Sequence, residues 1–302
     1  MRGSINWQTD QLRQAISAIG ESKHTDKEAA RAALGDIPAT SQRISDQTKI
    51  HSYGTAHDYQ ETWKAIGQHA REMGQKDMER ITSEHVKSYL DMRRESGIAL
   101  STWRKEAAHA GKLGNAISEK TGQRVDFREA INDLRAGAKD ALENPDRDRG
   151  YVDPREVIRN VNNPDSRLVA TIQMEGGARC HEVTQIRADQ LREGNTINLT
   201  NTKGGMPRTI EVRPDTFQRL QQTLSERGGV LRVNQSTYRN HVAEAASRAG
   251  EVNSGTHDLR YNFAQDRYQE LTREGYAPEQ AHYLISEEMG HHRPDITLHY
   301  LR

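Results

Sequence analysis

Residues 143–154, ENPDRDRGYVDP, constrain this chain most, because two prolines, a glycine and alternating charges rule out a regular element and predict a linker. A chain of 302 residues is long enough for two ordinary domains, so the linker is expected to separate a pair of hydrophobic cores. Hydrophobic residues make up 33% and charged residues 28% of the sequence, and the mean hydropathy is −0.94. That balance fits a very polar, helical protein. No run is long and apolar enough to span a bilayer, and no signal peptide precedes MRGSINWQTD, so the expected location is cytoplasmic and no membrane partner is expected. The single cysteine, Cys180, cannot form an internal disulfide and fits a reducing compartment.

Before the linker, the spacing predicts helices over 7–19, 26–34, 55–73, 82–96, 101–120 and 127–141, with no strand. Tyr59, Trp63, Ile66 and Ala70 recur at three and four residues, as one buried helical face demands, with Thr55, Thr82 and Ser101 as expected caps. After the linker, Asp153, Pro154 and Glu156 form a helix start in which Asp caps, Pro takes the first turn and Glu reaches back. Gly176 and Gly177 stop a helix at Glu175. TINLT (196–200) and RTIEVR (208–213) then alternate as a hairpin, followed by helices at about 214–226, 236–249, 256–273, 278–289 and 294–301. The expected class is mainly α (α+β): a helical N-terminal domain and a mostly helical second domain with a small antiparallel β-sheet.

Lys plus Arg and Asp plus Glu both total 43, so overall charge gives no support to a nucleic-acid partner. A neutral total can still hide a local basic channel. Lys203 is the only lysine after Lys139, every other cation of the second domain being arginine. An ammonium on a flexible stem in the hairpin turn can deliver a proton that arginine, with a pKa above about 12, cannot; the lesser alternative is a chance lysine in a solvated turn. His257 and Arg260, three apart at a helix start, can clamp a phosphate beside free amides, or simply occupy a capped surface helix. Arg179 follows the two glycines and precedes Glu182, which gives either a held guanidinium for phosphate oxygens or a structural ion pair. His291 follows a helix-ending glycine, and Tyr300 lies on a short last helix, where a buried core tyrosine is the ordinary meaning. Histidines 291, 292 and 299 invite a metal, but HExxH and CxxC are absent and no metal or other cofactor is expected.

Taken in order, G-G-A-R-C-H-E, the Lys203 hairpin, H-D-L-R-Y-N-F-A, M-G-H-H and Tyr300 resemble the tyrosine recombinase (phage integrase) family over roughly 151–302. G-T-A-H-D-Y-Q-E-T-W, I-T-S-E-H-V-K-S-Y-L and G-I-A-L-S-T-W-R look more loosely like that family's core-binding domain. The resemblance implies a helical extension or arm over 1–48, a core-binding DNA-binding domain over 49–145 and a catalytic domain over 146–302. It implies a site-specific recombinase that closes a C-shaped clamp on double-stranded DNA carrying specific sites. Strands would be exchanged through a 3′-phosphotyrosyl intermediate and a Holliday junction by a tetramer on paired sites, with accessory DNA-bending proteins as further candidate partners. Tyr300 would be the nucleophile, Arg179 and Arg260 would bind the non-bridging oxygens, and Lys203 would be the general acid. His257 would assist proton transfer at the nucleophile, His291 would donate a hydrogen bond to the phosphate, and Glu182 would support Arg179 from behind. Ala178 replaces a usual leucine, His181 a common serine, and Tyr261-Asn262 a frequent His-Thr. Many relatives continue past the tyrosine into a helix that docks on a neighbouring subunit, whereas this sequence stops two residues after Tyr300, which implies a shortened chain or a different coupling of subunits. The competing functions are a type IB topoisomerase-like nicking and resealing enzyme, and a non-catalytic DNA-binding regulator.

Overall fold

Trp63 and Trp103, both essentially inaccessible, organise the N-terminal half of the chain, and their indole N–H groups donate to the carbonyls of His109 (2.8 Å) and Leu90 (2.9 Å). A computed structural model describes residues 1–145, 149–202, 206–252, 255–291 and 294–301. The chain divides into two units, Met1–Asp146 and Arg147–Arg302.

The first unit contains α1 (Ile5–Ala15), α2 (Lys23–Leu34), α3 (Ser41–Gln47), α4 (Tyr53–Glu72), α5 (Ser83–Glu95), α6 (Leu100–Thr121) and α7 (Arg128–Ala141). Trp63, Ile66 and Ala70 form the buried face of α4 as their spacing predicts. Burying an aromatic of tryptophan's size removes roughly 150–250 Å² from water, worth on the order of 4–6 kcal/mol before conformational entropy is counted. The segment before residue 49 packs on the same unit: α1 lies against α4 and α6, and Lys112 Nζ on α6 donates to the carbonyls of Ser45 (2.7 Å) and Thr48 at the end of α3. Helix α3 was not expected; Thr40 caps it, and Ile44 buries with Ala30 and Leu34 of α2 in a small core of their own.

Two of the expected caps are replaced. Ser52, not Thr55, opens α4 by accepting the Thr55 amide. Helix α6 starts at Leu100 with Ala99 in the cap position, and the Ser101 amide donates to Asn144 Oδ1 at 2.7 Å. Thr82 does open α5, its amide donating to His85 Nδ1.

The second unit contains α8 (Pro154–Arg159), α9 (Pro164–Glu175), α10 (Cys180–Val183), β1 (Gln185–Arg187), β2 (Leu191–Arg192), β3 (Thr196–Leu199) and β4 (Arg208–Glu211). It continues through α11 (Pro214–Glu226), β5 (Val230–Arg232), α12 (Gln235–Arg248), α13 (Asp258–Arg273), α14 (Pro278–Glu288) and α15 (Pro294–Thr297). The expected hairpin is β3 and β4, antiparallel with Ile197 opposite Ile210, and β2 extends it to three strands. A second antiparallel pair, β1 with β5, was not expected. Asp153 caps α8 and Pro154 takes its first turn, but Glu156 does not reach back: the Asp153 amide donates to Glu251 instead, at 2.7 Å. The last helix is shorter than expected, and the Tyr300 amide closes the following turn on the Thr297 carbonyl. Asn262 of α13 accepts the Tyr151 amide (3.0 Å) and donates to its carbonyl (2.8 Å), which ties the start of the unit to the helix that carries Arg260. Among the described residues no helix is long and apolar enough to cross a membrane.

Candidate active site

Helix α9 must end abruptly for Arg179 to reach its place, and the paired glycines allow it. A Cβ on Gly176 would lie 2.6 Å from Ile210 of β4, one on Gly177 would run into Phe263 of α13, and Gly177 has a φ of 55°. Only glycines let the turn press between the sheet and α13. The turn leaves the Gly177 carbonyl as a shared acceptor for Arg260 Nη1 and for Arg208 Nη2 at 3.2 Å.

Arg179 sits at the start of α10, and Glu182 holds it twice, with Oε2 accepting its amide (2.7 Å) and Oε1 its Nη1 (2.9 Å). The Glu182 side chain is fully buried. Burial alone would raise its pKa, but Arg208, the Arg179 amide and both guanidinium hydrogen bonds hold it down at about 2. Arg208 Nη2 supplies the second cation at 2.8 Å from Oε2.

Arg260, on the first turn of α13, is wholly inaccessible and donates through Nη2 to the Met289 carbonyl (2.6 Å) and to His291 Nε2 (2.8 Å). A guanidinium has only donors, so Nε2 of His291 accepts and its proton resides on Nδ1, which is buried with no hydrogen-bond partner among the described residues. Burial, then the charges of Arg260, Arg179 and Arg208, push His291 down to about 3. His257 Nε2 lies 3.1 Å from the Tyr300 hydroxyl. Burial, reinforced by Arg260 and Arg179, lowers His257 to about 4, so the imidazole is neutral at ordinary pH and free to accept a phenolic proton.

Tyr300 is 7% exposed, its ring 4.5 Å from that of Tyr261 and 5.2 Å from that of His291, with the Arg260 guanidinium 5.7 Å from its centroid. Arg179, His257, His291 and Tyr300 line one open cleft of about 1010 Å³. Arg260 and Glu182 support it from behind. Lys203 falls outside the described residues. No three potential metal-ligating side chains gather among the described residues.

Two contributors were not foreseen. Tyr261 packs its ring at a tilt of 32° against that of Tyr300, and Arg208 joins Glu182 to the rest. The alternation of RTIEV carried the signal for Arg208, because it puts Arg208, Ile210 and Val212 on one face, and an arginine facing inward must meet an anion or carbonyls.

The sequence matches no protein-family model and no curated protein. The fold does match solved structures. The XerH site-specific recombinase bound to difH substrate in a pre-cleavage complex is similar at a TM-score of 0.62 and 17% identity, over 99% of this chain and 92% of that one. A lambda integrase dimer bound to a COC′ core site is similar at 0.58 and 15%, over 97% and 80%. The Tn1549 transposon integrase in complex with transposon right end DNA is similar at 0.59 and 13%, over 97% and 95%. These are likenesses of fold, and by them the chain has the tyrosine recombinase fold.

Proposed function

We propose that this protein is a site-specific DNA recombinase that cleaves and rejoins duplex DNA through Tyr300. The observation that carries the reading is the pairing of the Tyr300 hydroxyl with a neutral His257 at 3.1 Å, beside His291 and the buried Arg260. The Tyr300 oxygen attacks the scissile phosphorus while its proton passes to His257 Nε2. Negative charge that builds on the non-bridging oxygens meets Arg179, Arg260 and the Nδ1–H of His291. The bond to the 5′ oxygen breaks as Lys203 supplies its proton, leaving a 3′-phosphotyrosyl bond and a free 5′ hydroxyl. Attack by a 5′ hydroxyl from a second duplex reverses these steps and joins new strands. In this reading residues 146–302 are the catalytic domain and 49–145 bind DNA around it, with 1–48 an extension of that domain. A tetramer on paired sites, working in the cytoplasm, exchanges strands through a Holliday junction.

A covalent-capture assay tests it. The unmutated protein should form an adduct, stable to denaturation, with nicked duplexes drawn from a randomised pool. Tyr300→Phe should form none while still retarding the same duplexes. An undiminished adduct in Tyr300→Phe sinks the assignment, and relaxation of plain supercoiled plasmid without site preference would favour a topoisomerase-like enzyme.

A further inference from the structure

Arg208 touches none of the reacting groups, yet it meets several of the elements that deliver them. From the first position of β4 its guanidinium reaches Glu182 Oε2 (2.8 Å), the Gly177 carbonyl (3.2 Å) and the Glu288 carbonyl at the end of α14. Arg260 takes the same Gly177 carbonyl and the next carbonyl of α14, that of Met289. A buried arginine, Arg260, and a partly buried one, Arg208, therefore close the C-terminal end of α14, where the helix dipole favours cations, just before His291. Gly290 is shaped to this arrangement: its φ is 66°, and a Cβ there would lie 2.7 Å from Arg208 Cδ.

We propose that Arg208 is a positioning residue for strand cleavage, locking Glu182, and through it Arg179, to the Gly176-Gly177 turn and the end of α14. The proposal rests on the recombinase reading of the cleft. Its logic is that of a fork. Among the described residues Glu182 Oε2 accepts from the Arg179 amide and Arg208, so loss of Arg208 leaves a buried carboxylate with one of these two guanidinium groups. Such a carboxylate binds a proton far more readily, and once protonated it releases its charge-assisted hold on Arg179. A lysine keeps the charge but cannot reach three acceptors in a plane. Because β4 begins five residues after Lys203, the same fork also ties the hairpin strand to the phosphate-binding arginines.

The test uses the full chain and the nicked duplex that the unmutated protein captures from a randomised pool. Arg208→Met should slow single-turnover cleavage at saturating DNA by about 10²-fold, as misplacement on the ångström scale does. The half-saturating DNA concentration should change by less than about threefold, as expected for a group that acts on the transition state rather than on binding. The acid side of the Arg208→Met rate profile should also move to higher pH than in the unmutated protein or Arg208→Lys, because a carboxylate that has lost one of its two guanidinium partners takes up a proton more readily. Adding Glu182→Gln to Arg208→Met should cost less than the product of the two single effects. Unmutated rates in Arg208→Met, or a deficit that follows lost folding or DNA binding with the acid limb unmoved, overturn the role. Should Arg208→Met fail to fold, Arg208→Lys decides: a folded protein slowed at least about tenfold supports it, and an unmutated rate overturns it. If the unmutated protein captures no DNA, the recombinase reading itself falls and takes this role with it. Capture with indistinguishable Arg208 variants removes Arg208 alone.

Discussion

The two units bury polar groups in opposite ways. In the first, Glu106 accepts from the Tyr89 hydroxyl (3.0 Å) and from two nitrogens of Arg93 (both 2.8 Å), and His109 meets the Thr62 hydroxyl at 2.8 Å. Its buried atoms without a hydrogen bond, among the described residues, are the carboxylate oxygens Asp46 Oδ2 and Asp91 Oδ1. Each lies within ion-pair distance of an arginine, at 3.3 and 2.9 Å. In the second unit the atoms left over include three N–H donors: Arg208 Nε, Arg260 Nε and His291 Nδ1. A buried donor without a partner costs about 1–3 kcal/mol, so the three form an unfavourable arrangement, and His291, which lines the cleft, is the one that a bound anion could reach. Buried N–H donors without a hydrogen bond are thus found, among the described residues, in the second unit and not in the first.

The strongest challenge to this contrast concerns the cation that composition singles out. If the ammonium of Lys203 protonates the leaving 5′ oxygen, Lys203→Ala should slow cleavage on the order of 10²- to 10⁴-fold. Replacing the bridging oxygen with sulfur, which leaves readily without a proton, should restore most of that loss while doing little for Arg179→Ala. Equal rescue of both variants would mean that the cations around the cleft do not divide into a proton donor and charge stabilisers.

Trp103→Ala should lower stability by about 3–5 kcal/mol, as large-to-small changes in a tight core do, with the cleavage rate of the folded fraction unchanged. Arg260→Gln should do the reverse, slowing cleavage about 10²- to 10³-fold with a smaller change in stability. Chemical denaturation and single-turnover adduct formation measure both. An Arg260→Gln protein less stable than Trp103→Ala would mean that the second network is cohesive too.

Much of the site was legible because its chemistry is local in sequence. The spacing of Arg179 to Glu182 is the ion pair itself, the glycines before it are the turn, and the alternation of TINLT and RTIEVR is the β3–β4 hairpin. What escaped depends on groups far apart along the chain. The Ser101 amide is met by Asn144, and the Asp153 amide by Glu251, so local capping rules named the wrong partners. Strands β1 and β5 have three residues each, too few to show a period, and pair only because α11 brings the chain back. Arg208 was visible as an inward-facing residue, but its acceptors come from the Gly177 turn and α14, whose approach no local pattern encodes.

The smallest effect separates the units most directly, through three histidines that burial holds neutral. His109 in the first unit lies at about 4, as does His257 in the second, and His291 lies at about 3. All three are lowered from the unfolded value near 6.5, so between about pH 4 and 6.5 the unfolded chain binds more protons and stability falls as pH falls through that window. That behaviour is common to both units and distinguishes nothing. A bound phosphodiester would distinguish them, because its charge favours the imidazolium form of His257 and His291 but has no such effect inside the Thr62–His109 pair. In a proton NMR titration of the ring C–H signals, adding a captured duplex to Tyr300→Phe should raise His257 and His291 by about one pH unit, equivalent to about 1.4 kcal/mol each. His109 should stay near 4. A His109 shift as large as the other two, or unchanged values at all three, would mean that the unpaired donors of the second unit do not face an anion.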